Sequence, residues 1–334
     1  MVKQPLIFIC LLCFCMCMSM QAQKLKELDS LSAREVLDTL LIDRDMNNWS
    51  IRLFTNYKGQ SFNLINDNDK LSFKPNNRAG VGFGLGTSKL IVDIAFNLKG
   101  QEKHPTQRFD MQGSLIVGYN HLVSLYVQRY KGFNVKNNFN APEFFRDDIT
   151  SLSLGLSYLY TFDRISFSSS TLRAGLVKEE RKHYITGGIG GFMVYDNFSG
   201  DSSLIPDNET FNPDAYLNEF KGTGLGISGG LLAVFVLPAN FFATLNVIPG
   251  IGVMYKKAQS DVNDYRVSNP LLYKLDYNAG IGYSYKRFYA TLVYGSSIYT
   301  TNLDYGLNYL FSNTKAKISV GYKIKVDKKL KTPF

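Results

Sequence analysis

Much of what chemistry-bearing proteins use is scarce in this 334-residue chain. Its four cysteines, Cys10, Cys13, Cys15 and Cys17, all fall within the first 22 residues. That stretch reads as a secretory leader. Lys3 is its charged start, Leu6 to Met18 its apolar stretch, and Ala22 a small residue suited to the processing junction. The chain beyond it has no thiol, which excludes a disulfide framework, a cysteine-ligated metal site and a thiol nucleophile. A lipoprotein signal wants a small residue before the modified cysteine, and here Ile9, Leu12, Phe14 and Met16 stand there. Long apolar runs are also missing. After the leader the longest is Leu231 to Leu237, against about 20 residues for a membrane-crossing helix. Charge is sparse, at 19% of residues where roughly a quarter is usual.

Aromatics and glycine are abundant: 24 Phe, 21 Tyr and 28 Gly. An exported chain of this kind, with no thiol and no spanning helix, has the composition of a transmembrane β-barrel. The periodicity agrees, because alternation of period two dominates. Leu152, Leu154, Leu156, Tyr158, Tyr160 and Phe162 share one face, with Ser151, Ser153, Gly155 and Ser157 on the other. Ala316, Ile318, Val320, Tyr322, Ile324 and Val326 alternate in the same way with Lys317, Ser319, Gly321, Lys323 and Lys325. Several such segments reach the roughly 9–11 residues that a tilted membrane strand needs, beyond the roughly 5–6 of a soluble one.

The expected architecture is all-β: a transmembrane antiparallel barrel of 12–14 strands over residues 49–334. Residues 1–22 form the leader, and residues 23–48 a periplasmic segment. Within that segment, leucines at three- and four-residue spacing over Lys24 to Asp45 predict a short amphipathic helix. Candidate strands begin at Trp49–Tyr57 and Lys70–Gly86. They include Ile165–Gly175 and end with Asp304–Phe311 and Lys315–Val326. Turn polarity resists a count of 14, because the long stretch 196–221 then falls on the periplasmic side.

Short motifs carry a family resemblance. Trp49-Ser50-Ile51-Arg52-Leu53-Phe54 follows Asp43-Arg44-Asp45. Lys74-Pro75-Asn76-Asn77 precedes Gly80-Val81-Gly82-Phe83-Gly84, and Asp110-Met111-Gln112-Gly113 and the Tyr158, Tyr160, Phe162 series come later. From about Asp43 onward the order resembles a domain-of-unknown-function family of outer-membrane barrels from Bacteroidetes. The resemblance implies the fold and an outer-membrane location, and no activity.

Catalytic constellations are thin. Of three histidines, His121 sits in a tight turn and His104 and His183 in loops. Asp147-Asp148 with His183 are the only ingredients for a barrel protease that activates water. No enzyme activity, cofactor or metal is expected, since the histidines lack metal-ligand spacing and Asp201, Asp207 and Asp214 read as a solvated loop. The net charge of +9 is spread without a groove for nucleic acid. Outer-membrane lipid and lipopolysaccharide phosphates are the expected anionic partners, and small solutes if the lumen is open. By face, the expected lumen lining is Arg52, Asp93, Asn97, Arg108, Asp110, Gln112, Gln128, Lys274, Asp276, Lys317 and Lys323. Such a lining leads to the expectation of a small-solute channel with modest anion preference. The alternative is a structural or binding barrel whose lumen is filled by its own ion pairs.

Overall fold

The computed structural model describes residues 48–66, 69–76, 79–86, 91–97, 105–117, 120–139, 142–163, 183–206, 211–260 and 264–325, all within the compact unit Asn47–Phe334. The leader and the helix expected over Lys24–Asp45 lie outside them. The strands are β1 (Asn48–Asn66), β2 (Asp69–Lys74), β3 (Ala79–Gly86), β4 (Ile91–Asn97), β5 (Gln107–Val117), β6 (His121–Asn137), β7 (Phe144–Thr161), β8 (His183–Ser199), β9 (Glu219–Val236), β10 (Phe241–Gln259), β11 (Asp264–Arg266), β12 (Leu271–Tyr285), β13 (Phe288–Asn302) and β14 (Leu307–Lys325).

All fourteen belong to one sheet, and its first and last strands meet. β14 pairs with β1 along their whole length, from Asn48 opposite Lys325 to Asn66 opposite Leu307. The hydrogen-bonded ring closes through ten strands: β1, β2, β6, β7, β8, β9, β10, β12, β13 and β14. β3 pairs with β1 beyond the end of β2 and carries β4. β5 pairs with β6, and β11 with β10. The closing ladder is short: β2 joins β6 over Leu71 opposite Asn137 to Lys74 opposite Asn134, and among the described residues β4 pairs only with β3 and β5 only with β6.

The segment expected as a strand over Ile165–Gly175 lies outside the described residues. β7 and β8, which flank it in sequence, pair directly with each other. The two strands expected over Asp304–Phe311 and Lys315–Val326 are one, β14. Together these resolve the polarity conflict. Both barrel termini lie at one end, the turn end, with Leu237–Asn240 and Lys286–Arg287 as tight connections. The stretch between β8 and β9 falls at the opposite loop end, with those joining β6 to β7 and β10 to β12.

The apolar face changes sides along the strands. On β1, Ile51, Leu53 and Tyr57 point outward, and Leu53 is 72% exposed. Further up the same strand Phe62 and Leu64 point inward and are buried. β14 does likewise: Val320 and Ile318 are outside, and Phe311, Tyr309 and Leu307 inside. On β9, Ile227 (70% exposed) and Leu225 face out, whereas Phe220 is buried. The turn-end half is therefore built for lipid. Its exposed aliphatic belt lies between exposed aromatics near the turns (Phe288, Tyr285, Tyr160, Phe241) and others farther toward the loops (Tyr57, Tyr255, Tyr273, Tyr294). Such paired aromatic girdles mark the two interfaces of a membrane barrel. The loop-end half has the inside-out sense of a soluble protein. That explains strands of 17–19 residues, well beyond the roughly 9–11 a bilayer requires.

Candidate functional site: the barrel interior

In the loop-end half the interior is a packed aromatic core. Phe62 stacks on Phe73 and Phe198 at centroid distances of 4.3 and 4.0 Å, and Tyr299 on Phe311 at 4.5 Å. Phe133, Phe220 and Tyr309 complete the cluster, and Leu204, Ile205, Phe211 and Leu217 cover it from the β8–β9 connection. Arg146 fastens that cover. It donates to the Ser203 and Ser202 carbonyls at 3.0 and 3.1 Å and to Asp148 at 2.6 and 2.7 Å. Asp148 in turn accepts from the Asp201 amide at 2.9 Å.

Below the core, hydrogen bonds cross the lumen. Gln60 of β1 donates to Ser151 and Ser153 of β7 at 2.6 and 2.8 Å. Gln128 of β6 reaches Asn313 of β14 at 3.1 Å. Tyr299 and Tyr309 donate to the fully buried Asp196 of β8 at 2.6 and 3.4 Å. Nearer the loop end Lys256 donates to the Asn269 and Asn302 carbonyls and the Thr301 hydroxyl at 2.5–2.6 Å. Low polarity strengthens such bonds and makes their loss costly.

Inward glycines accommodate aromatic rings on the paired residue. Tyr126 lies over Gly155, Tyr289 over Gly321, Phe242 over Gly282 and Phe192 over Gly226. A Cβ at Gly155 would come within 2.1 Å of the Tyr126 ring, and one at Gly321 within 2.2 Å of Tyr289. At these four positions glycine thus lets a neighbour's ring fill the lumen.

The residues expected to line the lumen divide among several settings. Arg52 is buried on the inner face between Gly84 and Gly321 in register. Asp93 pairs with Gly84 in the same ladder row, and Asn97 with Gly80; their side chains, and that of Gln112, lie outside the description. Asp110 accepts from Lys58 at 3.3 Å and from Gln128 and Tyr130 at 3.2 Å. Arg108 donates to the Ala79 and Lys58 carbonyls at 3.2 and 3.5 Å. Lys274 is paired with Asp276, which also accepts from Ser297 at 2.5 Å, and its ammonium lies 5.2 Å from the centre of the Phe192 ring. Lys317 sits 3.7 Å over the Phe54 ring, and Lys323 donates to Ser284 at 2.5 Å. Sequence reasoning missed Lys58, Gln60, Asp196, Lys256, Tyr299 and Tyr309 as site residues. The first two lie beyond the end of the expected first strand.

The catalytic ingredients are not brought together. Asp147 and Asp148 stand at the loop end of β7, whereas His183 opens β8 at the turn end. His121 meets the Tyr158 hydroxyl at 2.8 Å on the outer wall. His104 and Asp207 lie outside the described residues.

Comparison with known proteins gives a family and a set of barrels. The pattern of DUF4421, a domain of unknown function, matches residues 36–324. No curated protein matches the chain. Among solved structures, the outer-membrane protease OmpT from Escherichia coli is 10% identical over 84% of this chain and 97% of its own, with a TM-score of 0.39. The translocator domain of the autotransporter NalP from Neisseria meningitidis is 11% identical over 92% and 95%, at 0.35. OprG from Pseudomonas aeruginosa is 12% identical over 84% and 96%, at 0.25.

Proposed function

The chain belongs to DUF4421, a family of unknown function, and on that premise we propose that it is a bacterial outer-membrane β-barrel whose lumen is sealed by its own side chains. In this reading it is a non-conducting structural or binding protein, which anchors a closed β head at the cell surface. The observation that carries this is the change of apolar face along the strands. It produces a lipid-type wall below and a buried aromatic core above. A barrel with short turns and both termini at one end places that end in the periplasm, so the head points outward. In this reading it is not an enzyme: among the described residues Asp147 and Asp148 stand at the loop end and His183 at the turn end.

Arg52, Lys317 and Lys323 in the turn-end half keep a second reading in view: a small-solute channel with anion preference. Swelling of proteoliposomes in a small neutral sugar separates the two. The sealed barrel swells no faster than empty vesicles. Swelling at a rate proportional to inserted protein would establish the channel and sink the sealed reading.

A further inference from the structure

The outer wall carries a group of cations near the loop ends of β9 and β10. In the ladder, Lys221 of β9 stands directly opposite Lys257 of β10, and Lys257 directly opposite Arg266 of β11. Directly paired residues project from the same face, here the outer one that Leu225, Val253 and Tyr255 share farther down the same strands. Like charges directly opposite on neighbouring strands repel and destabilise the sheet. Three in a row is therefore an arrangement that calls for an anion.

The protein supplies part of the compensation. Glu219 meets Lys221 at 2.7 Å, and Asp264 meets Lys257 at 2.9 Å. Lys257, the Gln259 amide and, more distantly, Lys221 hold the Asp264 carboxyl below the usual carboxylate range, so it stays ionised at neutral pH. Both acids lie one ladder step farther toward the loops, in the row Glu219, Gln259, Asp264. Arg266 makes no hydrogen bond or ion pair among the described residues, and its guanidinium lies 5.6 Å from the centre of the Tyr255 ring. Tyr255 is 59% exposed and belongs to the upper aromatic girdle.

Order along the wall gives the ligand its chemistry. From the turn end upward come aliphatic side chains (Ile227, Leu225, Val253), then Thr223 and Tyr255, then the three cations, then the two acids. A molecule lying in the lipid with an anionic head at the interface meets this order from below. Its chains lie on the belt and its anion reaches the cations before the acids. A planar, always-charged guanidinium over an aromatic ring, beside two flexible ammonium groups, suits the oxygens of a phosphate.

We propose that Lys221, Lys257 and Arg266 form an external site for the phosphate of a lipid headgroup in the outer leaflet. The proposal rests on the outer-membrane reading above. Strand spacing of about 4.8 Å sets the three Cα positions within roughly 10 Å, so long side chains can converge on one phosphate.

The test uses refolded full-length protein in phosphatidylcholine vesicles that contain either lipopolysaccharide or its dephosphorylated form. Protein is re-extracted in mild detergent and the lipid retained per chain is counted. Wild type retains the phosphorylated form and not the dephosphorylated one. The Lys221→Gln, Lys257→Gln, Arg266→Gln variant retains about tenfold less, because charge-assisted bonds to the phosphate are lost. Glu219→Gln with Asp264→Asn, which removes the competing acids, retains more than wild type. Lys286→Gln with Arg287→Gln, at the turn end, is unchanged. Insertion and heat-modifiable mobility are checked for every variant. Equal retention by wild type and the triple variant, both inserted, overturns the site. Displacement of the lipid by equimolar inorganic phosphate also overturns it, because the recognised species would then be the free anion. A wild type that fails to insert at all would take the membrane reading down as well, and the insertion check identifies that case.

Discussion

At the scale of single residues, the difference between the two walls can be measured at adjacent positions. Leu154 points into the belt, so Leu154→Lys should cost about 2–4 kcal/mol near the midplane. Its neighbour Ser153 is fully buried and accepts from Gln60 across the lumen. A water-filled lumen would tolerate Ser153→Lys, whereas the packed interior should lose about 3 kcal/mol or more by burying an unpaired ammonium. Urea titration of vesicle-inserted protein reads both, and a mild effect at Ser153 would mean that water reaches it. Gly155→Val tests the ring-over-glycine packing. With the Tyr126 ring so close to the position of its Cβ, it should destabilise by about 1–3 kcal/mol, and Gly155→Val with Tyr126→Ala should recover part of that. The alternation of Ser and Leu was legible in the sequence. That Ser153 packs against Gln60 was not, because a serine beside water and a serine beside a glutamine have the same local pattern. The partner comes from a strand distant in the chain.

At the scale of elements, the sequence was read correctly where one face stayed apolar and was cut short where the faces exchanged. β1 was expected to stop at Tyr57, where the outward apolar series ends and Phe62 and Leu64 begin an inward one. β14 was split for the same reason, because Tyr309 and Phe311 have the opposite parity to Ile318 and Val320. β6 changes its inward parity at a bulge, where the register shifts between Lys131 and Phe133. Below the bulge Tyr126, Gln128 and Tyr130 are inward; above it Phe133 and Val135 are. Gly132 makes this possible with φ of +87°, and a Cβ there would meet the Phe145 ring at 2.6 Å. Gly132→Ala should therefore destabilise by about 1–2 kcal/mol, and should loosen the Phe133 and Val135 region before the β6–β7 wall below it. Hydrogen exchange resolved by segment reads this. Uniform loss of protection along β6 would mean that the bulge does not separate the two halves.

At the scale of the whole molecule, the sequence showed an all-β barrel but not that one barrel exchanges its apolar face along the strands. Its lower wall turns apolar side chains toward lipid, and its upper wall turns them inward onto Phe62, Phe198 and Tyr309. The location should follow: the protein fractionates with the outer membrane, is heat-modifiable on gels and is processed between Ala22 and Gln23. The central claim, a lumen closed by its own core, is tested most directly by single-channel recording of refolded, heat-modifiable protein in a planar bilayer. The account predicts no conductance steps from wild type at any potential the bilayer withstands. It also predicts that Lys317→Glu with Lys323→Glu alters stability without creating a current. Steady steps from wild type, with an anion preference that the same double substitution weakens or reverses, would contradict it.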